Sequence, residues 1–379
     1  MKKSISSFLF LAAVSIDIDA KTLSEALLNS TFEGNIRLGY QKQHPQSDDK
    51  LNTDEYGLGL NLHFETAPYH GIQVGARLFT TYGNGEEGFE GVPFFDENND
   101  NYAILGEAYI KGTFSHTVFI LGRQNLDTPF ADGDDLGMVP NTFEAYTLIN
   151  KDLKDTTIFL SQVQSWSGVD SDAPSTFTEL NGNKGMQVIG VTYEGWDNTT
   201  FSGWFYNLSN TVKVSYFQAD YEAQTDKYTY GGILQYACQD YEDSESSTIY
   251  GAAAFFVVKK IGLTTTIAYN RTNGAQADNF FGGGPFVTSA EHNTIQEAGP
   301  DGNVLLYTLV WDASMAGMEG LTFVVNVDGH HDDLYHAEEY DIGMAYSYSD
   351  SLGVSAVYSD IDDEDTPYRN LRIFANYSF

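Results

Sequence analysis

The chain has 379 residues and a formal charge of −34, with 53 acidic against 19 basic side chains. A balance of that sign excludes non-specific nucleic-acid binding, which runs on lysine and arginine contacts to phosphate. Hydrophobic residues at 42% and aromatics at 14% exclude the disordered chain that such acidity otherwise suggests.

The first segment, MKKSISSFLFLAAVSIDIDA, places Lys2 and Lys3 before an apolar run from Phe8 to Ile16, with Ala20 as a cleavage residue. The run is too short to span a bilayer, so residues 1–20 read as a secretory signal peptide. Residues 21–33, KTLSEALLNSTFE, predict a short periplasmic lead-in, either an amphipathic helical turn or a flexible stub. From residue 34 to 379 the chain reads as one β domain. Segments of about ten residues alternate apolar with polar, from EGNIRLGYQK (33–42), YGLGLNLHFE (56–65) and GIQVGARLFT (71–80) to NLRIFANYSF (370–379). There are eighteen of them, with sixteen as the alternative count. The 25 Tyr, 25 Phe and 36 Gly suit strands and tight turns.

The connections alternate in length. Short ones lie at 67–70, 115–116, 152–155, 196–198, 259–261 and 350–352, and long acidic ones at 83–100, 167–184 and 273–302. This predicts an all-β protein, a transmembrane antiparallel β-barrel with short periplasmic turns and long extracellular loops. Only a closed barrel carries strands through lipid without unpaired backbone groups. The one cysteine, Cys238, shares parity with Leu234 and Tyr236, reads as lipid-facing, and leaves no internal disulfide.

Parity also assigns faces. In the last strand Leu371, Ile373, Ala375, Tyr377 and Phe379 form the lipid face, so Arg372 and Phe374 face the lumen. Arg37, among Ile36, Leu38 and Tyr40, and Arg77, among Val74, Ala76 and Leu78, read as pore-lining. Arg123 is undecided, because the preceding FILG is apolar on both faces, and Arg271 reads as an interface residue. Closure of first strand on last brings Arg37 and Arg372 to neighbouring strands. These arginines form either a reduced basic ladder or ion pairs with lumen acids, since unpaired charge in a narrow pore is costly. The acids crowd the long loops, as in Asp96, Glu97 and Asp100 or Asp360, Asp362 and Asp363, and predict a negative outer vestibule with weak cation preference.

Several stretches resemble the OprD-like family of bacterial outer-membrane porins. TLSEALLNSTFEGNIRLGY (22–40) is similar to the family's start, and GRQNLDTPFADGDDLGMVPNTFEAY (122–146) to its strand end, loop and exit. The terminal Tyr377 and Phe379 resemble the assembly signal of bacterial outer-membrane proteins. The resemblance implies eighteen strands, a loop at about 126–141 folded into the lumen, and passive diffusion of small hydrophilic solutes, often carboxylates. Constriction residues would be Asp127, Pro129, Asp132, Asp134, Asp135 and Pro140, an acidic loop facing the wall arginines Arg37, Arg77, Arg123 and Arg372. A surface loop with ordinary Asp/Gly turn chemistry is the alternative. Expected partners are outer-membrane lipid, lipopolysaccharide, the barrel assembly machinery and small solutes, with the chain a monomer or a homotrimer. No cofactor is expected, beyond weak divalent-cation binding by the acidic loops.

Other signals fail on context. GNGEEG (83–88) follows a strand but precedes a loop, not a helix, so it is no dinucleotide site. HHDDLYH (330–336) groups histidines on a loop, where solvation outweighs metal binding. No nucleophile elbow is present, and no enzyme is expected. The alternative function is a plugged barrel acting as a surface binding or adhesion protein.

Overall fold

The structure, a computed structural model, describes residues 19–46, 52–85, 92–171, 173–331, 336–363 and 367–379. The signal-peptide reading falls almost wholly outside them. The lead-in forms one short helix, α1 (Leu23–Leu28), capped by Thr22, whose hydroxyl accepts from Glu25 N at 3.1 Å.

Eighteen strands follow. They are β1 (Thr31–Pro45), β2 (Thr53–Glu65), β3 (Ile72–Asn84), β4 (Tyr102–Phe114), β5 (Thr117–Gln124) and β6 (Thr142–Asn150). Next come β7 (Thr156–Ser167), β8 (Met186–Trp196), β9 (Thr199–Leu208), β10 (Val212–Gln224), β11 (Tyr228–Tyr241) and β12 (Ser247–Val258). The last six are β13 (Leu263–Gly274), β14 (Asn303–Asp312), β15 (Leu321–His331), β16 (His336–Ser347), β17 (Leu352–Asp363) and β18 (Tyr368–Ser378). Each pairs antiparallel with its chain neighbours, and β1 closes on β18 with Asn35 opposite Ser378 and Gly39 opposite Phe374. The result is a closed eighteen-strand antiparallel barrel, and the predicted segments each fall on one of these strands.

The period of two holds around the ring. Outward positions carry Leu38, Ile110, Leu234 and Ile342, all exposed, while their neighbours Gln41, Gln235, Gln239 and Asn270 point inward and are buried. Apolar side chains without a protein partner on the outside, and amides buried on the inside, invert a soluble fold. Lipid is the solvent that makes the outer face favourable. Cys238 and Arg271 lie on the outward parity, beside exposed Tyr236 and Tyr269.

The pleat breaks at two places near the site. Glu107 pairs with Arg77 and Leu105 with Leu78, so Gly106 is bulged out of register, and Gly106 and Glu107 are both buried. A second bulge lies between Glu144 and Ala145.

Replacing outward Leu234 with arginine, in mid-strand, is expected to destabilise the barrel by about 2–4 kcal/mol. Urea titration of folding into lipid vesicles, read by heat-modifiable gel mobility, measures it.

Candidate functional site: an obstructed lumen

The site begins with glycines. Gly39 on β1 and Gly57 and Gly59 on β2 point inward and leave a notch in the wall. A Cβ at Gly39 would lie 2.8 Å from the Phe94 ring and 2.9 Å from Met138 Sδ, and one at Gly59 would lie 3.1 Å from Met138 Cε. The loop after β5 seats Met138 in that notch. Phe374 of β18 flanks it, with Phe94 packed at 5.5 Å between ring centroids.

Arg37 fastens the seat. Its Nη1 and Nη2 donate to the two carboxylate oxygens of Asp135 at 2.7 and 2.8 Å, and Nη1 also donates to Gly137 O at 2.6 Å. Nε donates to Asn376 of β18 at 2.8 Å, and the guanidinium lies 5.0 Å from the centroid of the Phe374 ring. A bidentate arginine with four of its five donors filled is a rigid clamp.

The other end of the same loop docks on the opposite wall. Residues Asp127–Thr128 and Ala131–Asp132 form a small hairpin, with Pro129 buried at its turn and Phe130 at its tip. The Phe130 ring meets Tyr206, Tyr216, Phe280 and Phe286 edge-on, with centroids 5.6 to 5.8 Å apart. Tyr206 and Tyr216 belong to β9 and β10, whereas Arg37 belongs to β1. In a ring of eighteen strands these anchors are half a circumference apart, so the loop crosses the lumen.

Of the four loop acids expected to face the arginines, Asp135 does so. Asp132 and Asp134 are instead buried within the loop packing. Asp132 Oδ1 accepts from Asp134 N at 2.9 Å, and Asp132 N donates to Phe281 O of the 275–302 loop. Asp127 is exposed on the hairpin, opposite Asp132. The reading of four acids on one side of the pore is therefore corrected. The Asp/Gly-rich segment turns so tightly, with Asp134 at φ 27°, that successive carboxylates point different ways. Pro140 leads into Asn141, whose N–H donates to Gly133 O and whose side-chain amide donates to Asp170 at 2.6 Å.

Three further loops turn inward, where the sequence reading named one constriction. Gln41 holds Val92 O at 2.7 Å, which brings Phe94 and Phe95 into the lumen. The 168–185 loop lays Phe177 under Arg123, 4.3 Å from guanidinium carbon to ring centroid. Gly122, at φ 118°, breaks the strand alternation just before Arg123, and this settles its ambiguous parity. The 275–302 loop is held by inward amides. Gln235 binds Pro285 O at 2.7 Å and Val287 N at 3.1 Å, Gln239 binds Asp278 on both backbone groups, and Asn270 accepts from Thr288 N and Oγ1. Glu339 on β16 accepts from His292 N and Asn293 N at 3.0 and 2.8 Å.

The remaining wall cations are paired. Arg77 Nε lies 3.0 Å from Glu107, Lys111 Nζ lies 3.2 Å from Glu65, and Arg372 bonds Glu291. Beside that last pair His292 is buried and held to about pH 3, by burial first and then by the Arg372 charge, so it is neutral. Its Nε2 meets the Asn370 amide at 3.2 Å. His330, from the histidine-rich stretch, is buried with Nε2 2.9 Å from Thr294 O. The side chains of His331 to His336, like several vestibule acids including Asp48, Asp49, Glu86, Glu87 and Glu90, lie outside the described residues.

The family description "outer membrane porin, OprD family" matches residues 70–363. The chain belongs to this family. Solved structures agree with its fold. OccK8 (OprE) of Pseudomonas aeruginosa superposes with a TM-score of 0.78 at 16% identity, over 93% of this chain and 99% of that one. A BenF-like porin from Pseudomonas fluorescens Pf-5 gives 0.81 at 14% identity, again over 93% and 99%. OpdK of Pseudomonas aeruginosa, solved with vanillate, gives 0.79 at 15% identity over 93% and 99%. No curated protein sequence matches the chain. This porin is thus a bacterial outer-membrane channel for small solutes, its family and fold are those of channels, and no comparison supports the plugged adhesion barrel.

Sequence reasoning missed the glycine notch, although the alternation of Gly57 and Gly59 in YGLGLNLHFE is its signal. It also missed Glu107, Glu291 and Glu339, because a bulge and two loop-to-wall contacts place them.

Two predictions follow from the loop clamps. Arg37→Ala and Asp135→Ala are each expected to raise single-channel current noise, and the double variant to be no noisier than either single one, because both remove the same clamp. Asp170 carries the second. Burial, then the charge of Asp134, raises its carboxyl from 3.8 to about 7. The docked state therefore favours the protonated acid, so docking is complete at low pH and weakens as pH rises through about 7. Noise is expected to grow as pH rises from about 3.8 toward about 7 and to level off above it, and Asp170→Asn to flatten the profile.

Proposed function

We propose that this porin passes small hydrophilic solutes through a narrow path beside its inward loops, with a preference for cations. The observation that carries the reading is that the arginines at positions 37, 77 and 372 each meet a carboxylate, Asp135, Glu107 and Glu291. A balanced arginine offers an anion hydrogen bonds but little net field. With those charges cancelled, the remaining acids set the sign, in a chain of net charge −34. Carboxylates, the solutes that the family resemblance implies, then have no clear advantage over cations here.

Further partners belong to the same proposal. Tyr377 and Phe379, stacked at 6.2 Å and exposed, are available to the barrel assembly machinery. The acidic outer loops bind divalent cations weakly where they meet lipopolysaccharide, and a single barrel is the functional unit, since β1 and β18 complete the pore within one chain.

Reversal potentials in a planar bilayer across a potassium chloride gradient test this. A shift to the cation side is expected. A shift to the anion side overturns the charge argument, and folded protein that opens no channel overturns the porin path.

A further inference from the structure

We propose that the outside wall over β7 to β10 holds a site for a phosphorylated glycolipid of the outer leaflet, bound directly by Lys184 and Lys213. The inference goes beyond the channel itself and rests on the outer-membrane location given above.

Strand register lays out two outward rows. In one, Leu160 on β7 is opposite Ile189 on β8, and Ile189 is opposite Phe205 on β9. All three are exposed. The next outward row lies one pleat period toward the long-loop end, about 7 Å away. There Gln162 is opposite Gln187, Gln187 is opposite Asn207, and Asn207 is opposite Lys213 of β10. The wall thus turns from apolar to polar in a single step on one face. An outward amide in hydrocarbon would lack bonding partners for its spare hydrogens, so acyl chains end at the lower row and headgroups begin at the upper one.

The upper row is ordered before any lipid arrives. Gln187 Nε2 donates to Gln162 Oε1 at 3.0 Å, Asn207 Nδ2 donates to Gln187 Oε1 at 2.7 Å, and Gln162 Nε2 donates to Lys184 O at 3.1 Å. Each amide nitrogen carries two hydrogens, and among the described residues each spends one in this ladder. The Asn181 amide donates to Ser209 O, which ties the segment carrying Lys184 to the β9–β10 turn. That turn spans only 209–211 although it lies at the long-loop end, so β9 and β10 stop just above the row with no long loop between them.

Two lysines flank the ladder. Lys184 and Lys213 are exposed, and among the described residues neither has an ion-pair partner. Asp240 is opposite Lys213, but its carboxylate accepts from Ser246 Oγ at 3.0 Å. Lys42, the outward lysine near the long-loop end of β1, is instead opposite Asp54. Lys184 and Lys213 rise from β8 and β10, two strand spacings apart, about 10 Å, an interval that two lysine stems close around one phosphate. In a chain of net charge −34, this local pair of cations beside spare amide hydrogens selects an anion with hydroxyl-bearing neighbours. A phosphate sits between the lysines, sugar hydroxyls meet the Gln162, Gln187 and Asn207 amides, and acyl chains cover Leu160, Ile189 and Phe205. A phospholipid supplies the phosphate and the chains but no sugar for the amides.

Native mass spectrometry of the whole barrel in detergent tests this, with diphosphoryl lipid A as the probe and EDTA present. The wild type is expected to retain lipid A, and phosphatidylglycerol to bind more weakly. Lys184→Gln and Lys213→Gln are each expected to weaken lipid A binding about threefold, the size that an exposed ion pair supports. The double variant is expected to lose more than either. Lipid A binding unchanged in the double variant overturns the site. So does its loss from the wild type in EDTA, which assigns the contact to metal ions bridging acidic loops. Phosphatidylglycerol binding as tightly as lipid A overturns the glycolipid. Planar-bilayer conductance of the double variant is expected to equal that of the wild type, since both lysines lie outside the lumen. A wild type that opens no channel overturns the porin path and leaves the lipid result standing.

Discussion

Every backbone N–H and C=O that crosses lipid must find its partner inside the protein, because the bilayer core offers none. The pairing of β1 with β18 meets that demand, since without it two strand edges would stand open. Closure then fixes the inside and outside of every strand through the pleat. It delivers Arg37, Asn376 and Phe374 to one stretch of wall from opposite ends of the chain. Much of the apolar stock goes outward to lipid, and the inner surface mixes glycine, amides, hydroxyls and charges with the buried side chains, such as Val188, Tyr206 and Ile249, on which the loops pack.

That inner surface has the opposite problem from a soluble core. Its polar groups are too numerous to leave dry and too closely spaced to leave charged. The chain solves this by folding loops back onto the wall. On one side the Gln235, Asn270 and Gln239 amides bind loop backbone, neutral group to neutral group. On the other the contacts are ionic, Arg37 with Asp135 and Arg372 with Glu291. Between them Phe130 and its four ring partners form an apolar knot in the middle of a hydrophilic tube. Aromatics on inward strand positions are therefore packing for the loops, as Phe374 and Phe79 are for Phe94, Phe95 and Met138.

The strands, their faces and the alternation of turns with loops were legible because each depends on a local period. Arg37, Arg77 and Arg372 could be aimed at the lumen from their neighbours alone. Their partners could not be named, because Glu107 reaches Arg77 through a bulge, and Asp135 and Glu291 arrive from loops whose paths no periodicity records. The acids of the 125–141 loop show the same limit. Composition located them, but backbone torsions within a tight turn decided that Asp135 meets the wall and Asp132 and Asp134 do not. Arg123 is the complementary case, where a single glycine in the left-handed region sets the side that apolar neighbours left open.

The loop that joins β1 to β9 and β10 has a mechanical consequence. A thin-walled tube resists stretching well but ovalises easily under sideways load. A tie fixed at two points half a circumference apart acts like a spoke. One end is an ionic clamp set in a glycine notch and the other a cluster of rings, so the two ends yield under different conditions. The cross-section of this barrel, and with it the shape of the free path, is held by a member that itself lies in the way.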